Sequence, residues 1–364
     1  MGAGDSEVAT PIWEEEPRGG YADVALFALS GLERLRSGFR GHSPTPPIHH
    51  LTGMKPTEFE EGRATFTMPV TPWLLSSVGV LTAGTMATLA DASLGCAIQT
   101  VLGEAQAYTT AELSLTMLRP VHAGVELTCE GRLIHCGRSV ALSEATVIAN
   151  PGNLLVAHAT SRCSVFPPLD PLPPAPAELP VLEPFAYPTP DPYLREPIAG
   201  AVLEQDVFDR MSGLEILRAQ LAGELPAPPL GHLTGLRLTD VGEGTVSFAL
   251  PCTHWLCPPL PRVQGGFTAM LADSALQCAI QTTVPAGAAF ATLDLKVNFL
   301  RPVEPDGRDL VATGRVLHAG RTIAIAASEV TNADGKPVAL ATGSAMYLPG
   351  RPASLVGEAE LAGG

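Results

Sequence analysis

Gly265-Gly266-Phe267-Thr268-Ala269-Met270-Leu271-Ala272-Asp273-Ser274-Ala275-Leu276-Gln277-Cys278-Ala279-Ile280 is apolar or small on nearly every side and holds one ionisable residue, Asp273. The same pattern stands earlier, in Ala83-Gly84-Thr85-Met86-Ala87-Thr88-Leu89-Ala90-Asp91-Ala92-Ser93-Leu94-Gly95-Cys96-Ala97-Ile98, with Asp91 in the matching place. A helix with no polar face is enclosed by other structure. A carboxylate inside it costs free energy unless it is paired or used. Burial also raises its pKa toward the range of a working base.

Outward from these helices the register of 182 positions persists. Ser30-Gly31-Leu32-Glu33 returns as Ser212-Gly213-Leu214-Glu215, and His50-Leu51-Thr52-Gly53 as His232-Leu233-Thr234-Gly235. Leu118-Arg119-Pro120-Val121 returns as Leu300-Arg301-Pro302-Val303. A register held over so many blocks means two copies of one domain. Two copies in one chain can build what a homodimer builds, with a site at the seam. The 364 residues divide into a loose tail at 1–20, a first repeat at 21–166, a proline-rich linker at 167–199, a second repeat at 200–349 and a tail at 350–364. Each repeat is long enough to bury a core without a metal or disulfide staple.

Within each repeat the order of elements recurs. Val24, Leu26, Phe27, Leu29, Leu32 and Leu35 are near helical spacing over 21–38, as are Phe208, Met211, Leu214, Leu217 and Leu221 in the second copy. Proline-rich turns follow at 44–47 and 226–229. Ala64, Phe66 and Met68 alternate as a strand, as do Val246, Phe248 and Leu250. The apolar helix spans about 83–100 and about 265–282. Strands follow at 107–119, 125–149 and 153–166, and again at 290–300, 308–332 and 337–348; the middle segment of each set is long enough to bend or break. This order predicts an α+β fold, two tandem units each with an antiparallel sheet wrapped around a central apolar helix.

Composition narrows the function. The hydrophobic share of 46% against 16% charged residues describes a globular chain with large cores. A net charge of −15 argues against nucleic acid and anionic membranes as partners. The longest apolar runs are broken by Asp91, Asp273 or Pro151-Gly152, which argues against a membrane span. No signal-peptide pattern opens the chain, and the 7 cysteines form no CxxC pair, so a reducing, cytoplasmic setting is expected. Cys96 and Cys278 read as small core residues. His50 and His232 lack metal-ligand spacing and read as structural. No metal or cofactor is expected.

Three further features carry candidate chemistry, each beside a plain structural reading. Gly265-Gly266 opens backbone N–H groups at a helix start, where the helix dipole can polarise a carbonyl; a tight turn would use the same residues. Thr110 and Thr292 fall on the polar face of the strand after the helix. They reach the aspartates only across a seam or at a twisted strand end, and strand propensity alone also accounts for them. Gly137-Arg138-Ser139 and Gly320-Arg321-Thr322 sit at bends between strands, as phosphate clamps or as solvated hairpins.

Val263-Gln264-Gly265-Gly266 through Asp273, then Thr292-Leu293-Asp294-Leu295-Lys296-Val297-Asn298-Phe299-Leu300-Arg301-Pro302, His318-Ala319-Gly320-Arg321 and Asp334-Gly335-Lys336, resembles the hotdog-fold acyl-CoA thioesterases of the phenylacetate-pathway (PaaI-like) type. The resemblance covers about 21–166 and 202–348. The family's usual His-Gly-Gly is Gln264-Gly265-Gly266 here and Thr82-Ala83-Gly84 in the first copy. Ser76 and Pro258 stand where the family often has Asn. The resemblance implies sites between units, with the helix start from one and the carboxylate and hydroxyl from the other. One seam would join Gln264-Gly265 to Asp91 and Thr110; the other would join Thr82-Ala83 to Asp273 and Thr292. The first is expected to be the better catalyst because it keeps the Gly-Gly helix start. The implied activity is hydrolysis of an acyl-CoA, with coenzyme A part of the substrate and its phosphates at Arg138 or Arg321. A homodimer of double units is also implied. The alternative is a non-catalytic acyl-CoA or acyl-carrier binding protein, suggested by the eroded first motif. A hotdog hydratase would need a His in the helix, and Cys96 and Cys278 stand five residues after the aspartates instead.

Overall fold

The computed structural model of the chain describes residues 10–171 and 178–353. The first repeat runs α1 (Gly31–Phe39), α2 (Pro47–Thr52), β1 (Lys55–Glu60), β2 (Arg63–Pro69), α3 (Ala83–Gln99), β3 (Tyr108–Met117), β4 (Glu126–Cys136), β5 (Val140–Asn150) and β6 (Leu154–Val165). The second runs α4 (Gln205–Arg210), α5 (Gly213–Leu221), α6 (Pro229–Thr234), β7 (Arg237–Gly242), β8 (Thr245–Pro251), α7 (Gly265–Gln281), β9 (Ala288–Phe299), β10 (Asp309–Ala319), β11 (Ile323–Thr331) and β12 (Pro337–Pro349).

The two central helices fall within a residue of where the apolar pattern puts them. Elsewhere local chemistry redraws the expected boundaries. The helix expected over 21–38 is a short 3-10 turn at Val24–Ala28 followed by α1, because the Ser30 hydroxyl caps α1 by accepting from the Glu33 N–H. Ser212 divides α4 from α5 in the same way and closes a capping box with Glu215. The long segments 125–149 and 308–332 each fold back as a hairpin, giving β4–β5 and β10–β11. The proline-rich turns run on into α2 and α6, with proline pre-set for the first helical turn. β1 and β7 are edge strands with a single buried residue between them, Phe59, so no hydrophobic alternation announces them.

The tail expected to be loose at 1–20 is packed over its second half. Residues 1–9 lie outside the described residues. Ile12 is 2% exposed, and the Arg18 guanidinium donates to the Thr189 carbonyl and to Asp191. Trp255 of the second repeat donates its indole N–H to the Glu15 carbonyl at 3.0 Å, while Trp73 of the first donates to the Arg195 carbonyl at 2.6 Å. The segment leading into each repeat thus straps the buried tryptophan of the other. Of the tail at 350–364, residues 350–353 are described; of the linker, all but 172–177, and most of it is exposed.

All twelve strands form one antiparallel sheet, ordered β1-β2-β4-β5-β6-β3-β9-β12-β11-β10-β8-β7. The repeats join at β3 and β9, from Glu112 opposite Asn298 to Thr116 opposite Asp294. Leu113, Leu115, Leu295 and Val297 from this join belong to the same core as α3 and α7. The two helices cross closely. A Cβ on Gly266 would lie 2.4 Å from the Thr88 Cα, and one on Gly84 would lie 2.6 Å from the Met270 Cα, so only glycine fits at either crossing point. Among the described residues no helix is long and apolar enough to cross a membrane.

Candidate active site

The crossing sets the start of each central helix against the aspartate of the other. Asp91 Oδ2 accepts the Gly266 N–H at 3.2 Å, and Asp91 Oδ1 accepts the Thr110 hydroxyl at 3.0 Å. Asp91 is 8% exposed. Thr110 reaches it within its own repeat, at an irregular strand end. The register shifts between Thr110 and Glu112, which pair with the consecutive residues Cys163 and Arg162. The extra residue, Ala111, reverses the alternation and turns Thr110 to the helix side.

Gln264 is the N-cap of α7 but makes no side-chain cap. Its Nε2 donates to the Thr88 carbonyl at 3.0 Å, and its Oε1 is buried without a partner. A Cβ on Gly265 would stand 3.1 Å from Asp91 Oδ2 and 3.4 Å from the Phe299 ring, so any side chain there would crowd the carboxylate. Burial pushes the Asp91 pKa above the ordinary aspartate value, while the Thr110 hydroxyl and the Gly266 and Gly265 N–H groups pull the other way.

At the second seam Asp273 Oδ2 accepts the Gly84 N–H at 2.7 Å, and Asp273 Oδ1 has no hydrogen-bond partner. Thr82 Oγ1 is engaged in capping α3, accepting the Thr85 N–H at 3.1 Å. Thr292 is turned inward by a matching register shift in β9, yet it makes no hydrogen bond to Asp273. At both seams the N–H that donates to the carboxylate belongs to the second residue of the opposite helix, Gly266 of α7 and Gly84 of α3.

Burial raises the Asp273 pKa from 3.8 to about 6, against the opposing pull of Gly84, Gln277 and Thr82. A carboxylate whose pKa is raised on folding supports the fold below its unfolded value and loses that support as pH rises through the folded one. Asp273 is therefore expected to weaken the protein progressively as pH rises from about 4 to about 6, and fully above that, by at most about 3 kcal/mol. Denaturant unfolding of wild type and Asp273→Asn at pH 4.5 and 7.5 checks this. The variant is expected to gain stability relative to wild type at the higher pH; a gap that does not change with pH would contradict it.

Each seam opens on a cavity. One of about 700 Å³ is lined by Asp91, Cys96, Tyr108, Thr110, Gln264 and Gly265. The other, of about 920 Å³, is lined by Thr82, Ala83, Asp273, Gln277, Phe290 and Thr292. Neither wall includes the turns at Arg138 and Arg321. Both turns close as hairpins, with the Gly137 N–H on the Val140 carbonyl and the Gly320 N–H on the Ile323 carbonyl; Arg138, Ser139, Arg321 and Thr322 are exposed. This arrangement favours the solvated-hairpin reading over a clamp within the cavities. His50 pairs with Asp191 at 3.0 Å, and His232 stacks on Trp73, in keeping with structural roles. Two residues in the Asp91 cavity wall escaped the sequence reading, Arg34 and Tyr108. Comparing the repeats position by position shows them, since Ile216 and Phe290 stand in their places.

The sequence profile of the thioesterase superfamily matches residues 78–156 and 262–339. A Halobacterium salinarum protein whose name proposes an esterase is 30% identical over 122 residues, covering 31% of this chain and 79% of its own. The tesB protein of Mycobacterium avium subs paratuberculosis shares the fold, with a TM-score of 0.50 at 14% identity over 81% of this chain and 96% of its own. The PaaI protein from the phenylacetic acid degradation operon of E. coli is 19% identical over 38% of this chain and 95% of its own, with a TM-score of 0.34.

Proposed function

The chain belongs to the thioesterase superfamily, with two hotdog domains in tandem, and from that premise we propose that it hydrolyses an acyl-CoA thioester where Asp91 meets the start of α7. The observation that carries the proposal is the Asp91 carboxylate, held by Thr110 on one oxygen and by the opposite repeat's helix start on the other, in the wall of a cavity.

Hydrogen bonds on both oxygens restrain the carboxylate and blunt it as a nucleophile. They leave lone pairs to accept a proton, so Asp91 is assigned as general base on water. The water oxygen bonds to the thioester carbon, and its proton passes to Asp91. The oxyanion that forms faces the positive end of α7, where the Gly265 N–H and the second amide hydrogen of Gln264 are the available donors. Collapse breaks the C–S bond, and the proton returns from Asp91 to the coenzyme A sulfur. At the other seam the threonine bond to the carboxylate is missing and Thr82 is engaged as a cap, so the Asp91 seam is assigned the main turnover.

The test is release of free thiol from phenylacetyl-, short-, medium- and long-chain acyl-CoAs. Release above the spontaneous rate supports the hydrolase; tight thioester binding with no release would replace it with the binding-protein reading. The base must be ionised, so kcat/KM is expected to rise with pH through an apparent pKa above 3.8, the ordinary aspartate value. A profile with no acid limb above that value would contradict the role given to Asp91.

A further inference from the structure

We propose that the Asp91 cavity takes acyl chains ending in a carboxylate, and that Arg34 is the residue that recognises that end. The proposal rests on the functional reading above and adds a substrate class to it.

Arg34 stands on α1 in the wall of the cavity that Asp91 lines. Its Nη2 donates to the Gln106 carbonyl at 2.7 Å, and its guanidinium lies 4.4 Å over the Phe27 ring. Its Nε is buried with no partner. Its helix neighbours Arg36 and Arg40 both pair with Glu33, whereas Arg34 makes no ion pair among the described residues. Burial pulls its pKa down, which marks a charge removed from water without a counterion in return. A guanidinium in that state, with N–H groups unused, fits a carboxylate brought by a ligand.

Its position suits the far end of an acyl chain. α1 packs at the C-terminal end of α3, where the Gly31 N–H donates to the Leu102 carbonyl at 2.8 Å. Asp91, Cys96 and Gln99 line the cavity in succession along α3. Helix rise separates the first from the last by ~12 Å. Tyr108 stands along that path: a Cβ on Gly95, midway between Asp91 and Gln99 on α3, would lie 2.5 Å from its phenol oxygen. The phenol pKa is raised mainly by burial, then by Cys96, Cys163 and Asp91, and is drawn back by Arg34. A thioester carbonyl at Asp91 would therefore point its acyl tail past Tyr108 toward Arg34.

The other repeat supplies the control. The positions 182 residues after Arg34, Gln106 and Tyr108 are Ile216, Ala288 and Phe290, and all three line the Asp273 cavity. Ile216 is 1% exposed. The same unit folds around an apolar residue there, so the cation is not required to build it. The charge is particular to the cavity with the complete threonine–aspartate–helix arrangement.

The experiment measures binding by calorimetry, without turnover. The ligands are free coenzyme A and two thioether analogues of matched chain length, S-alkyl-CoA and S-(ω-carboxyalkyl)-CoA, in a series of lengths. The proteins are wild type, Arg34→Met and Arg34→Lys. Wild type is expected to prefer the carboxylated analogue by at least tenfold at the best length. Arg34→Met is expected to lose that preference and Arg34→Lys to keep part of it. An unchanged preference in Arg34→Met overturns the proposal. So does a parallel weakening of free coenzyme A and both analogues, which would assign Arg34 to the coenzyme A phosphates. Binding of coenzyme A by the variants reports that they are folded. Because the analogues are not hydrolysed, a failure of the hydrolase reading is seen separately, as absent thiol release.

Discussion

Asp91→Asn is expected to lower kcat by about 10²- to 10⁴-fold, the range for loss of a positioned base, with the fold intact. The amide has the shape of the carboxylate, and its oxygen can still accept the Gly266 N–H that Asp91 Oδ2 takes at 3.2 Å. The Thr110 hydroxyl, which now donates to Oδ1, can rotate to accept from the new amide nitrogen. What is lost is the ability to take a proton from water. Replacing a carboxylate whose pKa is raised by burial removes a desolvated charge, so the unfolding midpoint is expected to hold or rise at neutral pH. Thiol release and unfolding are measured on the same preparation. Unchanged kcat in a folded Asp91→Asn protein would remove Asp91 from the chemistry.

The largest expected effect on stability comes from a single methyl group. Gly266→Ala would set a Cβ 2.4 Å from the Thr88 Cα and 2.8 Å from its amide nitrogen. Both are backbone atoms of the opposite helix and cannot swing aside. Overpacking of this kind costs about 1–3 kcal/mol, and more where the backbone must shift. The helices would have to separate, stretching the Gly266 bond to Asp91, so activity should fall with stability. Gly265→Ala is the comparison, because its Cβ would meet Asp91 Oδ2 at 3.1 Å and the edge of the Phe299 ring. It is expected to disturb the carboxylate more than the helix packing. Denaturant midpoints of the two variants check the ordering. A Gly266→Ala protein as stable as wild type would mean that the helices do not cross this closely.

The contrast between these glycines shows what the sequence could and could not convey. The helices were legible because almost every residue in them is apolar or small, a pattern that leaves few alternatives, and the repeat made the aspartates stand out. That Gly266 serves the crossing as well as the carboxylate was not legible, because a close approach depends on what lies opposite. Thr110 is set beside Asp91 of its own repeat by the family resemblance, whereas the strand pattern alone does not bring the two together. Strict alternation puts it on the wrong face, and only the bulge at Ala111 corrects that. The division at Ser30 was written in the Ser-x-x-Glu spacing, yet the continuing apolar pattern concealed it. Arg34 and Tyr108 required a different comparison: they matter because the second repeat replaces them with Ile216 and Phe290. The turns at Arg138 and Arg321 show a different limit, since an arginine beside glycine looks alike in a clamp and in an exposed hairpin, and both turns are exposed hairpins outside the two cavity walls.

The central claim is that turnover occurs at the Asp91 seam, where the threonine bond, the Gly-Gly helix start and the Gln264 amide come together. Its most direct test is kcat/KM for the best acyl-CoA measured side by side in wild type, Asp91→Asn and Asp273→Asn. The account predicts that Asp91→Asn loses nearly all hydrolysis and Asp273→Asn loses far less. Loss confined to Asp273→Asn, with Asp91→Asn active, would contradict it.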